Sequence, residues 1–215
     1  MNDFKTIDSE KVSGKRVLVR VDLNVPMKNG KVTDTTRIDR AAPTLKELAA
    51  KGAKVIVLSH FGRPDGKRMP EMSLKPLVEP LAKALAKPVA FAEDSIGPQA
   101  EAAVKALKPG EVLLLENLRF HKEEEKNDKG FVDTLSALGD VYVNDAFSAA
   151  HRAHASTEGI AHRLPAQTGR LGLPNALFRA SSSACIRRPA AAGRRLARPS
   201  VEAWARWAAE KASLT

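Results

Sequence analysis

Short runs of β-branched and aliphatic residues alternate along this chain with stretches whose apolar positions recur every three to four residues. That alternation predicts parallel strands joined by helices. Five strands are readable: 16–22 (RVLVRVD), 54–59 (KVIVLS), 89–92 (VAFA), 111–115 (EVLLL) and 140–144 (DVYVN). Most are almost continuously apolar rather than alternating, as strands are when helices cover both faces of their sheet. The expected fold is therefore α/β: a doubly wound, Rossmann-like parallel sheet with helices on both faces, in a single domain.

Between the strands, Ile38, Leu45, Leu48 and Ala49 fall on one helical stripe that ends at Gly52, placed as a C′ glycine. Pro43 is expected in the first turn of that helix. A second stripe, Leu74, Leu77, Val78, Leu81 and Leu85, follows Ser73 as N-cap, with Pro80 as a kink. Residues 97–107 and 123–138 read as two further helices. The latter opens with Glu123, Glu124 and Glu125, acids that favour a helix N-terminus.

Composition fits this picture over most of the chain. With 43% hydrophobic and 28% charged residues in 215, it excludes collagen-like, coiled-coil and wholly disordered classes. No apolar run approaches the roughly 20 residues of a membrane span, and the opening MNDFKTIDSEK lacks a signal-peptide core. One cysteine, Cys185, excludes a disulfide framework, and the expected compartment is cytoplasmic. The net charge of +10 is lopsided. Residues 1–166 carry 17 Lys and 9 Arg against 23 acids, whereas residues 167–215 carry 8 Arg and 1 Lys against 2 acids, with 12 Ala. The expected organisation is a folded domain over 1–166 and an irregular tail over 167–215, with a short helix at 200–214 around Trp204 and Trp207.

In an open parallel sheet the ligand sits beyond the carboxyl ends of the strands, and the residues there are polar. They are Asp22 and Asn24 after the first strand, His60 to Arg63 after the second, Asn117 to Arg119 after the fourth, and Asp145 followed by His151 and Arg152 after the last. Arg37 adds a further charge ahead of the first helix. Four arginines and a histidine there suit a small, multiply charged anion such as a phosphorylated carboxylic acid, because guanidinium grips phosphate and carboxylate bidentately. Four charge-assisted contacts at about 1.5–3 kcal/mol each would supply about 6–12 kcal/mol before the cost of association. Plainer readings stand beside this one. Any single arginine reads equally as a solvated surface group, Asp22 and Asn24 as turn formers before Pro26, and His60 as a structural histidine. His151 and His154 lack a third ligand, so no metal is assigned. Residues 62–67 (GRPDGK) lack the spacing of a phosphate loop.

The strings VRVDLNVP, TDTTRI, SHFGRP, LLENLRF and VNDAFSAAHRAHAS, in this order, resemble the N-terminal domain of the phosphoglycerate kinase family over residues 4–166. The resemblance implies that Asp22, Leu23 and Asn24 address the substrate's hydroxyl and carboxyl end. It implies that Arg37 binds substrate and stabilises the phosphoryl group in flight, that His60, Phe61, Gly62 and Arg63 form the next binding stretch, and that Arg119 and Arg152 complete the grip. The implied reaction moves a phosphoryl group between ATP and 3-phosphoglycerate, giving 1,3-bisphosphoglycerate and ADP, after hinge closure of two domains. Magnesium-bound ATP or ADP belongs, by the same resemblance, to a second domain that this chain lacks. The tail after HRLPA departs from the family, and its Arg and Ala bias reads as a frameshifted or truncated product, inactive as a lone chain. A monomer is expected, with no membrane. The alternatives are a non-catalytic anion-binding module and a nucleic-acid binder acting through the basic tail, the latter disfavoured by the lack of a stacking platform.

Overall fold

The computed structural model describes residues 11–28, 30–146 and 152–168. Five parallel strands form as expected, β5 with the bounds read and the other four one or two residues shorter: β1 (Arg16–Arg20), β4 (Lys54–Leu58), β5 (Val89–Ala92), β6 (Val112–Leu115) and β7 (Val141–Asn144). Two features were not anticipated. Met27–Lys28 (β2) and Lys31–Val32 (β3) pair as a small antiparallel ribbon outside the main sheet. Ala166–Thr168 (β8) adds a sixth parallel strand beside β7, continuing the sheet two residues past the compositional change near 166. The order across the sheet is β5-β6-β4-β1-β7-β8.

Successive residues of each strand enter two separate cores. Val17, Val19, Val55, Val57, Val112, Leu114, Val141 and Val143 pack with α1 (Thr36–Ala50) and α2 (Val78–Leu85). Leu18, Ile56, Leu58, Leu113, Leu115 and Tyr142 pack on the opposite face with α3 (Gly97–Ala106) and α5 (Lys129–Ser136). Both faces are thus covered, which is why the strands read as continuous apolar runs.

Helix α1 ends as its glycine predicts. Gly52 takes φ +78°, its N–H reaches the Ala49 carbonyl (3.0 Å), and the Ala53 N–H reaches that of Leu48 (3.0 Å), a Schellman closure. Its start lies further upstream than expected. Asp34 Oδ1 accepts from the Thr36 N–H (2.7 Å) and opens the helix seven residues before Pro43. Pro43 therefore sits in the interior and gives no N–H to the carbonyl of Asp39. Ser73 does not cap α2. Its hydroxyl accepts from the Lys75 N–H (3.1 Å) and donates to Glu116 (2.6 Å), holding a 3₁₀ turn over Lys75–Leu77 that precedes the helix. Pro80 consequently falls in the first turn of α2, where an N–H has no intrahelical partner, instead of in the helix interior. The single helix expected over 123–138 is two: α4 (Lys122–Glu125) and α5, separated where Asn127 adopts a left-handed φ of 51°. Asp128 then caps α5 by accepting from the Phe131 N–H (3.0 Å). His151, Cys185, Trp204, Trp207 and the expected helix at 200–214 lie outside the described residues. No helix among the described residues is long and apolar enough to cross a membrane.

Candidate functional site

The loops leaving β1, β4 and β6 are stitched together at the carboxyl edge of the sheet. Ser59, just beyond β4, accepts from the Leu23 N–H (3.0 Å) and donates to the Val21 carbonyl (3.0 Å). Asn117, just beyond β6, accepts from the N–H groups of Phe61 (3.2 Å) and Arg119 (3.1 Å) and donates to the carbonyls of Phe61 (2.8 Å) and Met72 (2.9 Å). Three segments far apart in sequence thereby form one rigid rim. Gly62 stands where Asn24 Oδ1 accepts its N–H (3.1 Å) and the Arg119 guanidinium donates to its carbonyl (2.8 Å). It takes φ +61°, and a Cβ there would meet Met72 Sδ at 2.9 Å, so the position favours glycine.

The expected residues distribute around this rim unequally. Asp22 forms an ion pair with Arg37 and accepts from the Asn24 N–H (3.1 Å). Arg119 is almost buried and pairs through Nε with Glu125 (3.1 Å). Burial draws Arg119 below the ordinary arginine value, with Glu125 opposing the shift. His60 is only 9% exposed and is the electrostatic centre. Burial, joined by the neighbouring charges of Arg20, Arg119 and Arg152, lowers its pKa to about 3 against the pull of Asp22. The imidazole is therefore neutral at physiological pH. Burial and then Arg119 also lower His154, which places it beside the same group.

Arg152 is exposed and bears electrostatically on His60, Arg119 and His154. Arg63 is exposed and connects to the cluster through the backbone of Gly62. Phe61 is half-buried against the α1 and α2 core. Leu23 is fully buried, so its side chain anchors the segment between Asp22 and Asn24. No three His, Asp or Glu side chains among the described residues gather as metal ligands.

A family model described as phosphoglycerate kinase matches residues 7–177. The chain belongs to the phosphoglycerate kinase family. A phosphoglycerate kinase of Bradyrhizobium diazoefficiens is 66% identical over 169 residues, covering 79% of this chain and 42% of its own length. One of Brucella melitensis is 68% identical over 167 residues, covering 78% and 42%. Among solved structures, the phosphoglycerate kinase of Coxiella burnetii superposes with a TM-score of 0.71 at 42% identity, covering 79% of this chain and 42% of that one. That of Pyrococcus horikoshii gives 0.72 at 36% identity, with 79% and 43% covered. The chain thus spans about two fifths of the length of the phosphoglycerate kinases it matches.

One set of polar residues at this edge escapes a reading of strand ends. Arg20, within β1, is 1% exposed. It donates through Nε to Ser156 Oγ (3.0 Å), through Nη1 to the Val21 carbonyl, and through Nη2 to His60 Nδ1 (2.8 Å). Glu124, equally buried, accepts from the Ser156 hydroxyl (2.5 Å) and N–H (3.0 Å), and Tyr142 donates to the Ser156 carbonyl (2.7 Å). Burial pulls Arg20 down and pushes Glu124 up, and each opposes the shift of the other. The signal was present in the sequence: in RVLVR, Arg20 shares the face of Leu18, and an arginine in core register needs a buried acid.

Proposed function

We propose that this chain carries the 3-phosphoglycerate site of a phosphoglycerate kinase, an enzyme moving a phosphoryl group between ATP and the carboxylate of 3-phosphoglycerate to give 1,3-bisphosphoglycerate and ADP. The observation that carries the reading is the hub at His60. There Arg119 and Arg152 approach one neutral imidazole, and Asp22 brings Arg37 to the same rim. Such a group offers several cationic forks and one uncharged donor to a ligand bearing a phosphate at one end and a carboxylate at the other.

In this reading Arg119 and Arg152 grip the anion, Asp22 and Asn24 address the hydroxyl and carboxyl end, and the Gly62 and Arg63 segment closes one side. Phe61 and Leu23 hold the loops. Arg37, paired with Asp22 and otherwise well exposed, is the arginine that swings onto the migrating phosphoryl group. Charge neutralisation and alignment supply most of the rate acceleration in such transfers. Magnesium-bound ATP or ADP enters as co-substrate, and we assign its site to a second domain of the family rather than to residues 1–166. Residues 1–166 then supply the substrate-binding unit of the enzyme, which works as a monomer in the cytoplasm.

Titration calorimetry of the purified chain tests this directly. 3-Phosphoglycerate should bind, magnesium-ATP should give no heat, and Ala at Arg37, Arg63, Arg119 or Arg152 should weaken 3-phosphoglycerate binding about tenfold to a hundredfold. Unchanged affinity in all four variants would remove the assignment.

A further inference from the structure

Arg20 and Glu124 have no part in the grip described above, since both are almost wholly closed to solvent. With Glu124 a carboxylate opposite the Arg20 charge, their hydrogen bonds run in one direction. A carboxylate accepts and never donates, so the Ser156 hydroxyl points its proton at Glu124 Oε1. That leaves a lone pair of Ser156 Oγ for Arg20 Nε–H. A guanidinium donates and never accepts, so Arg20 Nη2 must give its proton to His60 Nδ1. The neutral ring then carries its own proton on Nε2. The opposite tautomer would set an Nδ1–H against a cationic N–H at 2.8 Å.

We propose that Glu124 is a positioning residue of this site, holding Arg20 in place through Ser156 so that Arg20 fixes His60 as the Nε2–H tautomer, an uncharged donor for a substrate oxygen. The inference rests on the substrate-site reading and deepens it. Without Glu124, Arg20 would be a buried cation lacking its main counter-charge, and such groups reorient or draw in water. The His60 tautomer would then no longer be enforced. The depressed His60 pKa agrees, since a ring that accepts from an arginine resists a second proton.

The test uses the whole chain labelled with ¹⁵N-histidine. Nitrogen–proton correlation spectra show which ring nitrogen bears the proton, and loss of one set of signals in His60→Asn assigns His60 among the five histidines. Wild type should show His60 wholly as Nε2–H near neutral pH. Glu124→Gln and Ser156→Ala should both admit the Nδ1–H form, with 3-phosphoglycerate affinity falling about tenfold, as for the loss of one charge-assisted hydrogen bond. A wild-type ring protonated on Nδ1, or a ring unchanged from wild type in both variants, overturns the proposal. If Glu124→Gln does not fold, Ser156→Ala decides, because it keeps the charge pair and removes only the bridge. Failure of the substrate reading gives a different pattern. Wild type would then bind no 3-phosphoglycerate while the tautomer still shifted in the variants, which supports the positioning of the ring and removes its ligand.

Discussion

Replacing His60 by Asn should flatten the acid limb of the stability profile. The Asn side chain can still accept from Arg20, but it cannot titrate. In the unfolded wild type, His60 takes up a proton with a pKa near 6.5, whereas in the folded protein burial and the arginines hold it at about 3. Below about pH 6.5 the unfolded chain therefore binds a proton that the folded chain refuses, and stability falls at about 1.4 kcal/mol per pH unit until about pH 3. Between about pH 7 and pH 4.5 this amounts to about 2.5 kcal/mol, a sizeable fraction of a typical domain stability of about 5–15 kcal/mol. His154, lowered for the same reason, adds a loss of the same sign. It does so in both proteins and drops out of their difference. Urea unfolding followed by far-ultraviolet circular dichroism at the two pH values measures each loss. Wild type should lose about 2–3 kcal/mol more than His60→Asn over this interval. Parallel profiles would show that His60 is not held neutral, and the electrostatic account of the cluster would fail with it.

The scaffold yields two further expectations. Asn117→Ala removes four hydrogen bonds at a buried position and should cost about 2–4 kcal/mol in chemical denaturation; a loss below about 0.5 kcal/mol would mean that Asn117 does not tie the three loops together. Asp128→Ala removes the side-chain cap of α5 and should cost about 1 kcal/mol, whereas Asp128→Asn should recover most of it, and equal losses in the two variants would argue against capping.

The sheet was legible because parallel strands buried on both faces must be apolar at nearly every position, and 54–58 and 112–115 are. Boundaries set by local polar chemistry were less so. Pro43 is compatible with a helix start, but the Asp34 carboxylate opens α1 earlier, and nothing in the apolar spacing distinguishes the two. The break between α4 and α5 falls in KEEEKNDKG, a stretch without apolar residues, where periodicity carries no information. Strand β8 is only three residues long, AQT, and its pairing depends on β7 rather than on its own composition. At the candidate site, the rule of strand ends pointed to loops that the structure joins at one edge of the sheet. It passed over Arg20 and Glu124 because one lies inside a strand and the other among three first-turn acids with an ordinary helical explanation.

The arrangement of charge also bears on selectivity. Arg37 is paired with Asp22 and Arg119 with Glu125, so under the proposed substrate reading an arriving anion would displace a protein carboxylate at each instead of meeting an unpaired cation. For an acid with a single charge the exchange is close to neutral, one carboxylate replacing another at the same fork. Net attraction grows only when the ligand brings more negative charge than it displaces and extends to the exposed Arg63 and Arg152 as well. A ligand with a phosphate at one end and a carboxylate at the other satisfies both conditions, while acetate or chloride satisfies neither. On that reading the internal acids would lower affinity for every anion but most for the small and singly charged, so that discrimination arises from unfavourable alternatives as well as favourable contacts. The neutral His60 fits the same logic, because it adds a hydrogen-bond donor to the rim without another charge that would attract anions indiscriminately.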